Sequence, residues 1–348
     1  MDVLPTIWFI AIAALWIGYL LLEGFDLGVG MHMLVGVRGD AAEKNRQRRV
    51  MLNTIGPVWD GNEVWLLTAG AATFAAFPFW YASLFSTLYV PLTLVLLGLI
   101  FRAVAIEFRG KHHTARWAKT WDWAIGLGSF VSAFGIGAGL ALTTTGLPID
   151  ANGDRVGGPF VFLTPIAVLG GLAVVGFALV HAATFLALKS DGPVRERAGR
   201  FVSGWGILAL VPIVGWVLVV QLQSGGVASW ALVAVAVVAV LLGYVSARAG
   251  REGRAFVGIA VFLVAGAASI FTAAYPVVLP STIDAAFSLT ISNASSGDYT
   301  LGVMTVVTAV ALPVVLVYQA WSYWVFRKRI SGEHIPAVHE ILPAVRQP

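Results

Sequence analysis

Nine long apolar stretches dominate the chain, at 6–34, 51–75, 79–107, 120–145, 162–188, 201–222, 229–247, 255–275 and 299–326. A helix needs roughly 20 apolar residues to cross a bilayer. Each stretch meets that length or comes close to it. None alternates polar and apolar residues as a barrel strand does. The only structure that can satisfy backbone polar groups in such runs is a set of membrane helices. Composition supports this: 58% of the 348 residues are hydrophobic and 11% are charged, against about a quarter charged in soluble domains. A soluble enzyme, a disordered chain and a nucleic-acid binder are thereby excluded. With no cysteine, disulfides, thiolate metal sites and cysteine nucleophiles are excluded too. The first stretch lacks a basic leader and an A-x-A-like cleavage site and carries two acids, so it is not read as a removable signal peptide.

The loops sort by charge. Five basic side chains lie in 38–49 (Arg38, Lys44, Arg46, Arg48, Arg49) and four in 108–119 (Arg109, Lys111, Arg116, Lys119). Four more lie in 189–200 (Lys189, Arg195, Arg197, Arg200), three in 248–254 (Arg248, Arg251, Arg254) and four in the tail (Arg327, Lys328, Arg329, Arg346). These segments follow spans 1, 3, 5, 7 and 9. They hold 20 of the 22 Lys and Arg residues. The intervening segments 76–78, 146–160, 223–228 and 276–298 are polar but not basic, and Arg155 is their one cation. By the positive-inside rule the N-terminus lies outside and the C-terminus in the cytoplasm. The expected fold is all-α and polytopic with nine transmembrane helices. It divides into a first four-helix unit within 1–145, a second within 162–275, a ninth helix at 299–326 and a cytoplasmic tail at 327–348. No internal repeat supports that division.

Ionisable residues in hydrocarbon are costly and mark function by default. Span 1 carries Glu23 and Asp26, span 2 Asp60 and Glu63, span 3 Arg102 and Glu107; Asp122 opens span 4 and His181 lies in span 5. Asp26 precedes Arg38 by 12 residues, about 18 Å along a helix. Asp60 follows Met51 by nine, about 13 Å. The buried charges therefore lie in the inner half of the membrane or near its middle. The spacing of three in Glu23/Asp26 and in Asp60/Glu63 puts each pair on one helix face. Spans 1 and 2 are joined by a short loop, so the four carboxyls are expected to face one another. Like charges in low dielectric cannot all ionise, so such a group shares protons, which suits a proton relay. The alternative is structural: the acids pair with Arg102 or cap helix breaks beside Gly24, Gly28, Pro57 and Gly61. His181 is open to haem ligation, relay or packing, with packing favoured. His32, near the inner end of span 1, matches it poorly as a second haem ligand. His112 and His113 read as solvated. Trp59, Trp65, Trp117, Trp121 and Trp123 read mainly as anchors and packing, or as a wall of a quinone or lipid pocket.

The segments E-G-F-D-L-G-V-G (Glu23–Gly30), N-T-I-G-P-V-W-D-G-N-E-V-W-L (Asn53–Leu66) and T-A-G-A-A-T-F-A-A-F-P (Thr68–Pro78) resemble subunit II of cytochrome bd-type quinol oxidases. The likeness continues through F-R-A-V-A-I-E-F-R (Phe101–Arg109), W-D-W-A-I-G-L-G-S-F-V (Trp121–Val131) and Y-Q-A-W-S-Y-W-V-F (Tyr318–Phe326). The resemblance implies a nine-helix subunit of the bacterial cytoplasmic membrane, without haem ligands of its own. Its partner, subunit I, would carry haems b and d and oxidise quinol. Asp26, Asp60 and Glu107 match family acids assigned to proton uptake from the cytoplasm, with Glu23 and Glu63 beside them and Trp59, Asn62 and Arg102 in support. Glu63 stands where some relatives have an amide. The resemblance also implies a bound quinone (menaquinone or ubiquinone) or lipid, and small single-helix accessory subunits. Composition rich in Ala, Gly, Val and Arg suits a high-GC bacterium and menaquinone. From the residues alone, a proton-coupled transporter or a haem cytochrome in its own right remains open.

Overall fold

The computed structural model describes residues 3–112 and 114–335; His113 and Arg346 lie outside them. Among the described residues eleven α-helices follow one another: α1 (Val3–His32), α2 (Ala41–Ile55), α3 (Trp59–Ala76), α4 (Pro78–Thr87), α5 (Tyr89–Phe108), α6 (Ala115–Thr145), α7 (Pro165–Lys189), α8 (Gly192–Ser224), α9 (Val227–Arg248), α10 (Glu252–Ala274) and α11 (Asp298–Val325). Among the described residues, eight helices are long and apolar enough to cross a membrane: α1, α5 to α10 and α11. The chain is a multi-pass membrane protein.

The expected second span, 51–75, is not one helix. It comprises the end of α2, a break at Gly56–Val58, and α3. Pro57 has no N–H to give the Asn53 carbonyl, and the chain passes the break by a tighter Val58 N to Ile55 O bond of 2.9 Å. Its polar start, with Asp60, Asn62 and Glu63, keeps α3 out of the apolar set. The expected third span, 79–107, also divides. The ring of Pro91 leaves the Thr87 carbonyl without its helical donor, and the chain bends at Leu88, where α4 meets α5.

Small residues set the close helix contacts, as in other membrane bundles. A Cβ on Gly28 of α1 would lie 2.0 Å from the Ala178 carbonyl oxygen of α7. Gly98 of α5 and Gly128 of α6 face each other in the same way, and a Cβ on Gly128 would also meet the Arg102 side chain at 3.2 Å. The absence of two side chains thus lets α5 and α6 approach closely beside the buried Arg102. α7 is the most deeply packed span and α11 the least, with only Leu301 of α11 buried.

Three of the polar, weakly charged segments, 76–78, 146–160 and 276–298, gather at one end, with Ser296 bonded to the carbonyls of Ala75 and Ala76. A short antiparallel pair, β1 (Val277–Leu279) with β2 (Leu289–Thr290), packs on segment 146–160 through Leu147 N to Pro280 O (3.0 Å) and Ser281 Oγ to Ile149 O (2.6 Å). The basic segments meet at the other end. Asp122 of α6 joins Arg109 (2.6 Å) and Arg48 (3.3 Å). Lys189 donates to the carbonyls of Phe326 and Lys328, and Arg329 reaches Asp191 at 3.2 Å and Glu252 at 3.5 Å.

Candidate functional site

Four helices converge on a polar cluster inside the apolar bundle. α1 brings Glu23 and Asp26, one turn apart and both fully buried. α5 brings Arg102, also fully buried, whose Nη1 lies 2.7 Å from Glu23 Oε1 and 3.4 Å from Glu63 Oε2. α3 brings Glu63, with its side chain 20% exposed, and the buried Asn62. α11 brings Gln319 and Tyr323. Asn62 Nδ2 donates to Asp26 Oδ2 at 2.6 Å and to the Leu22 carbonyl at 3.3 Å. Asn62 Oδ1 accepts from Tyr323 OH at 2.8 Å and from Gln319 Nε2 at 3.0 Å. Trp65 Nε1 donates to Gln319 Oε1 at 3.0 Å.

The cluster sets three carboxyls against one guanidinium in a water-poor interior. Like charges set together in such an interior disfavour one another's ionisation. Arg102 offsets one negative charge at the centre. The Glu23 and Asp26 carboxyls lie side by side within hydrogen-bonding reach. Tyr19 OH and Arg102 Nε and Nη2 are buried with no hydrogen-bond partner from the protein. Polar atoms left in this way are the ones that bridging water or a mobile proton carrier can serve.

The cytochrome bd terminal oxidase subunit II family matches residues 4–326. The chain is 37% identical over 336 residues to cytochrome bd ubiquinol oxidase subunit 2 of Bacillus subtilis (strain 168), covering 95% of this chain and 98% of that one. It is 35% identical over 372 residues to cytochrome bd-I ubiquinol oxidase subunit 2 of Escherichia coli (strain K12), covering 96% and 97%. The chain belongs to the subunit II family of cytochrome bd terminal oxidases. The bd oxidase structure from Geobacillus thermodenitrificans matches with a TM-score of 0.68 over 94% of this chain and all of the other; at 17% identity it supports the fold alone.

Membership makes this a subunit of an oxidoreductase, the terminal quinol oxidase of a respiratory chain. Within the bd oxidase subunit, the site residues read from the sequence separate into two groups. Glu23, Asp26, Glu63, Asn62 and Arg102 come together. Asp60 and Glu107 do not join them, and both are exposed. The expectation of four facing carboxyls is therefore corrected to three. The break at Pro57 makes Trp59 the first residue of α3, so Asp60 falls in the first turn. There the helix N-terminus favours an acid without a cationic partner. Trp59 is half-buried beside the break.

Pairing with Arg102, which the sequence left as an alternative, is present for Glu23 and Glu63. His181 is fully buried. Its Nε2 lies 3.0 Å from the Leu21 carbonyl, and its ring stacks between Phe177 and Phe256 with centroids at 5.0 and 4.8 Å. His32 meets the Leu179 carbonyl at 2.9 Å and the edge of Phe201. Both rings are closely packed and each has one nitrogen on a backbone carbonyl. Among the described residues no three His, Cys, Asp or Glu side chains gather as a metal-holding group.

The sequence reading missed Gln319, Tyr323 and Trp65 as members of the site, and Asp122 as the anchor of the basic end. Gln319 and Tyr323 lie within the segment that carries the family resemblance. They are also the polar residues at a spacing of four on one face of an otherwise apolar span, a signal that was available.

Proposed function

We propose that this chain is the haem-free partner of a haem-bearing subunit I, and that it conducts protons from the cytoplasm toward the oxygen-reducing centre of that partner. Haems b and d reside in subunit I in this reading, quinol is oxidised near the outer face, and oxygen is reduced to water. Because the protons come from the inner side, turnover charges the membrane without a separate pump. Nine crossings carry the chain, four from 1–145, four from 162–275 and the last from 299–326. The N-terminus is outside and the tail at 327–348 is in the cytoplasm of a bacterial inner membrane.

The observation that supports the reading best is the graded series of acids on α3 and α1. Asp60 is exposed, Glu63 is half-buried one turn further on, and Glu23 and Asp26 are fully enclosed. Such a series brings a proton from an exposed carboxyl to a buried one in short steps. Arg102 at its centre keeps the buried acids from repelling one another outright. Glu107, exposed near the end of α5, is placed in this reading at the inner mouth of the path.

The test is oxygen consumption by the purified two-subunit oxidase. Asp60→Asn, and to a lesser degree Asp26→Asn, are expected to slow turnover while the visible spectrum shows full haem content. Normal turnover in both variants, with full assembly, would remove the proton path. Loss of assembly would instead favour a structural role for the acids.

A further inference from the structure

The amide of Asn62 uses all of its hydrogen-bonding capacity, and its neighbours allow only one orientation. A side-chain amide offers two N–H donors on one side and two acceptor sites on the other. On the α1 side stand two acceptors, Asp26 Oδ2 at 2.6 Å and the Leu22 carbonyl at 3.3 Å. On the α11 side stand two donors, Tyr323 OH at 2.8 Å and Gln319 Nε2 at 3.0 Å. Gln319 is itself fixed. An indole N–H can only donate, so Trp65 requires Gln319 to turn Oε1 toward it, at 3.0 Å. That leaves the Gln319 N–H for Asn62. A flipped Asn62 would set oxygen against two acceptors and nitrogen against a donor.

We propose that Trp65, Gln319 and Tyr323 form a polarity lock that holds the Asn62 N–H on Asp26 Oδ2 and thereby dictates which Asp26 oxygen carries a proton. A proton on Oδ2 would face the Asn62 donor. The proton therefore sits on the other oxygen, Oδ1, which no fixed N–H or O–H donor engages, with the Glu23 carboxyl as Asp26's hydrogen-bonding neighbour, and leaves from there. The lock turns a carboxyl with two equivalent oxygens into a directional carrier. It also gives α11 a task within the site, although that helix is otherwise almost wholly exposed. Trp65, Gln319 and Tyr323 are positioning residues: they act on Asp26 only through Asn62. The inference rests on the proton path proposed above.

The experiment compares Tyr323→Phe, Trp65→Phe and Asp26→Asn, alone and with each aromatic change combined with Asp26→Asn, in the assembled oxidase. Each aromatic change removes one donor; Tyr323→Phe keeps the ring, and Trp65→Phe leaves a smaller one. Tyr323→Phe is expected to slow oxygen consumption about two- to tenfold, the effect of one hydrogen bond. Haem content should be unchanged and the pH profile of turnover displaced from the parent's. Trp65→Phe, which frees Gln319 to turn, is expected to act in the same sense. In the Asp26→Asn background neither change should slow turnover further, since the carboxyl they orient is gone. Two results overturn the lock alone. One is a slow Asp26→Asn oxidase with parental rate and pH profile in both aromatic variants. The other is an equal fold-loss with and without Asp26. Full turnover in Asp26→Asn takes Asp26 out of the proton path and overturns the lock with it; the path itself falls only if Asp60→Asn is also normal.

Discussion

Arg102 shows how much one side chain can decide in an apolar bundle. It is fully buried, its Nη1 serves both Glu23 and Glu63, and its Cβ lies against Gly128, where a side chain would crowd it. Replacing it leaves two carboxyls facing each other with no cation, and breaking a buried pair from one side costs about 3–5 kcal/mol. Arg102→Met is therefore expected to lower the detergent-solubilised melting temperature sharply or abolish recovery of the complex. Glu23→Gln, which leaves Glu63 on Arg102, is expected to be the milder change. Thermal unfolding of the two purified variants checks the order. The sequence made Arg102 conspicuous as the one cation inside a span. It could not say whether the acids served it or served protons, because both readings need the same residues. The structure places three of the five acids in one cluster around Arg102 and Asn62 and leaves Asp60 and Glu107 at the surface. That sorting depends on how α3 and α5 are rotated, which no spacing rule supplies.

At the scale of elements, hydropathy located the eight helices that are long and apolar enough to cross, because the bilayer imposes a length on each. It read through the breaks at Pro57 and Leu88, since an apolar run does not reveal where a helical hydrogen bond is missing. The fit between elements is set by glycine. Gly28 lets α1 lie against the α7 backbone, and α1 carries the buried Glu23 and Asp26. Gly28→Ala is expected to push the two helices apart at a cost of about 1–3 kcal/mol. Its signature would be lower thermal stability together with reduced turnover, because Asp26 lies half a turn from the contact. Unchanged stability would mean that the helices can separate freely there. α11 illustrates the opposite case. It is held at three places rather than along a face. Trp8 Nε1 donates to Leu301 O and Thr305 Oγ1 at one end, the Asn62 group lies in the middle, and Lys189 meets Phe326 and Lys328 at the other end.

For the whole molecule, the basic end is a connected surface rather than a set of independent loops. The segment after α11 runs beside the α7–α8 junction, with Ile330 N to Lys189 O at 2.8 Å, and Arg329 reaches Asp191 and Glu252. Arg329 is partly exposed, so each of its contacts is worth at most about 1 kcal/mol. Arg329→Gln is expected to leave turnover intact and to speed proteolytic removal of the tail in detergent. Equal proteolysis in variant and parent would show that the backbone pairing at Ile330 suffices. Orientation is open to a direct measurement, because the chain has no cysteine of its own. A single cysteine at Ala249, in a basic loop, is expected to react with an impermeant thiol reagent only in inside-out vesicles. One at Gly158, in a polar loop, should react only in the opposite preparation.

The sequence by itself determined that this chain is helical and crosses a membrane repeatedly, since 11% charged residues cannot cover a soluble surface. Its motifs determined the family, and its loops carried the expected orientation, because cations stay on the side where they are made. Only the tertiary structure decided which buried groups meet. Asn62 and Gln319 are 257 positions apart, and hydropathy records each span's fitness for lipid without recording its neighbours. A polar residue in such a span signals that it has a partner. The partner's identity follows from helix rotation and close approach, which glycines and proline breaks settle jointly across the bundle.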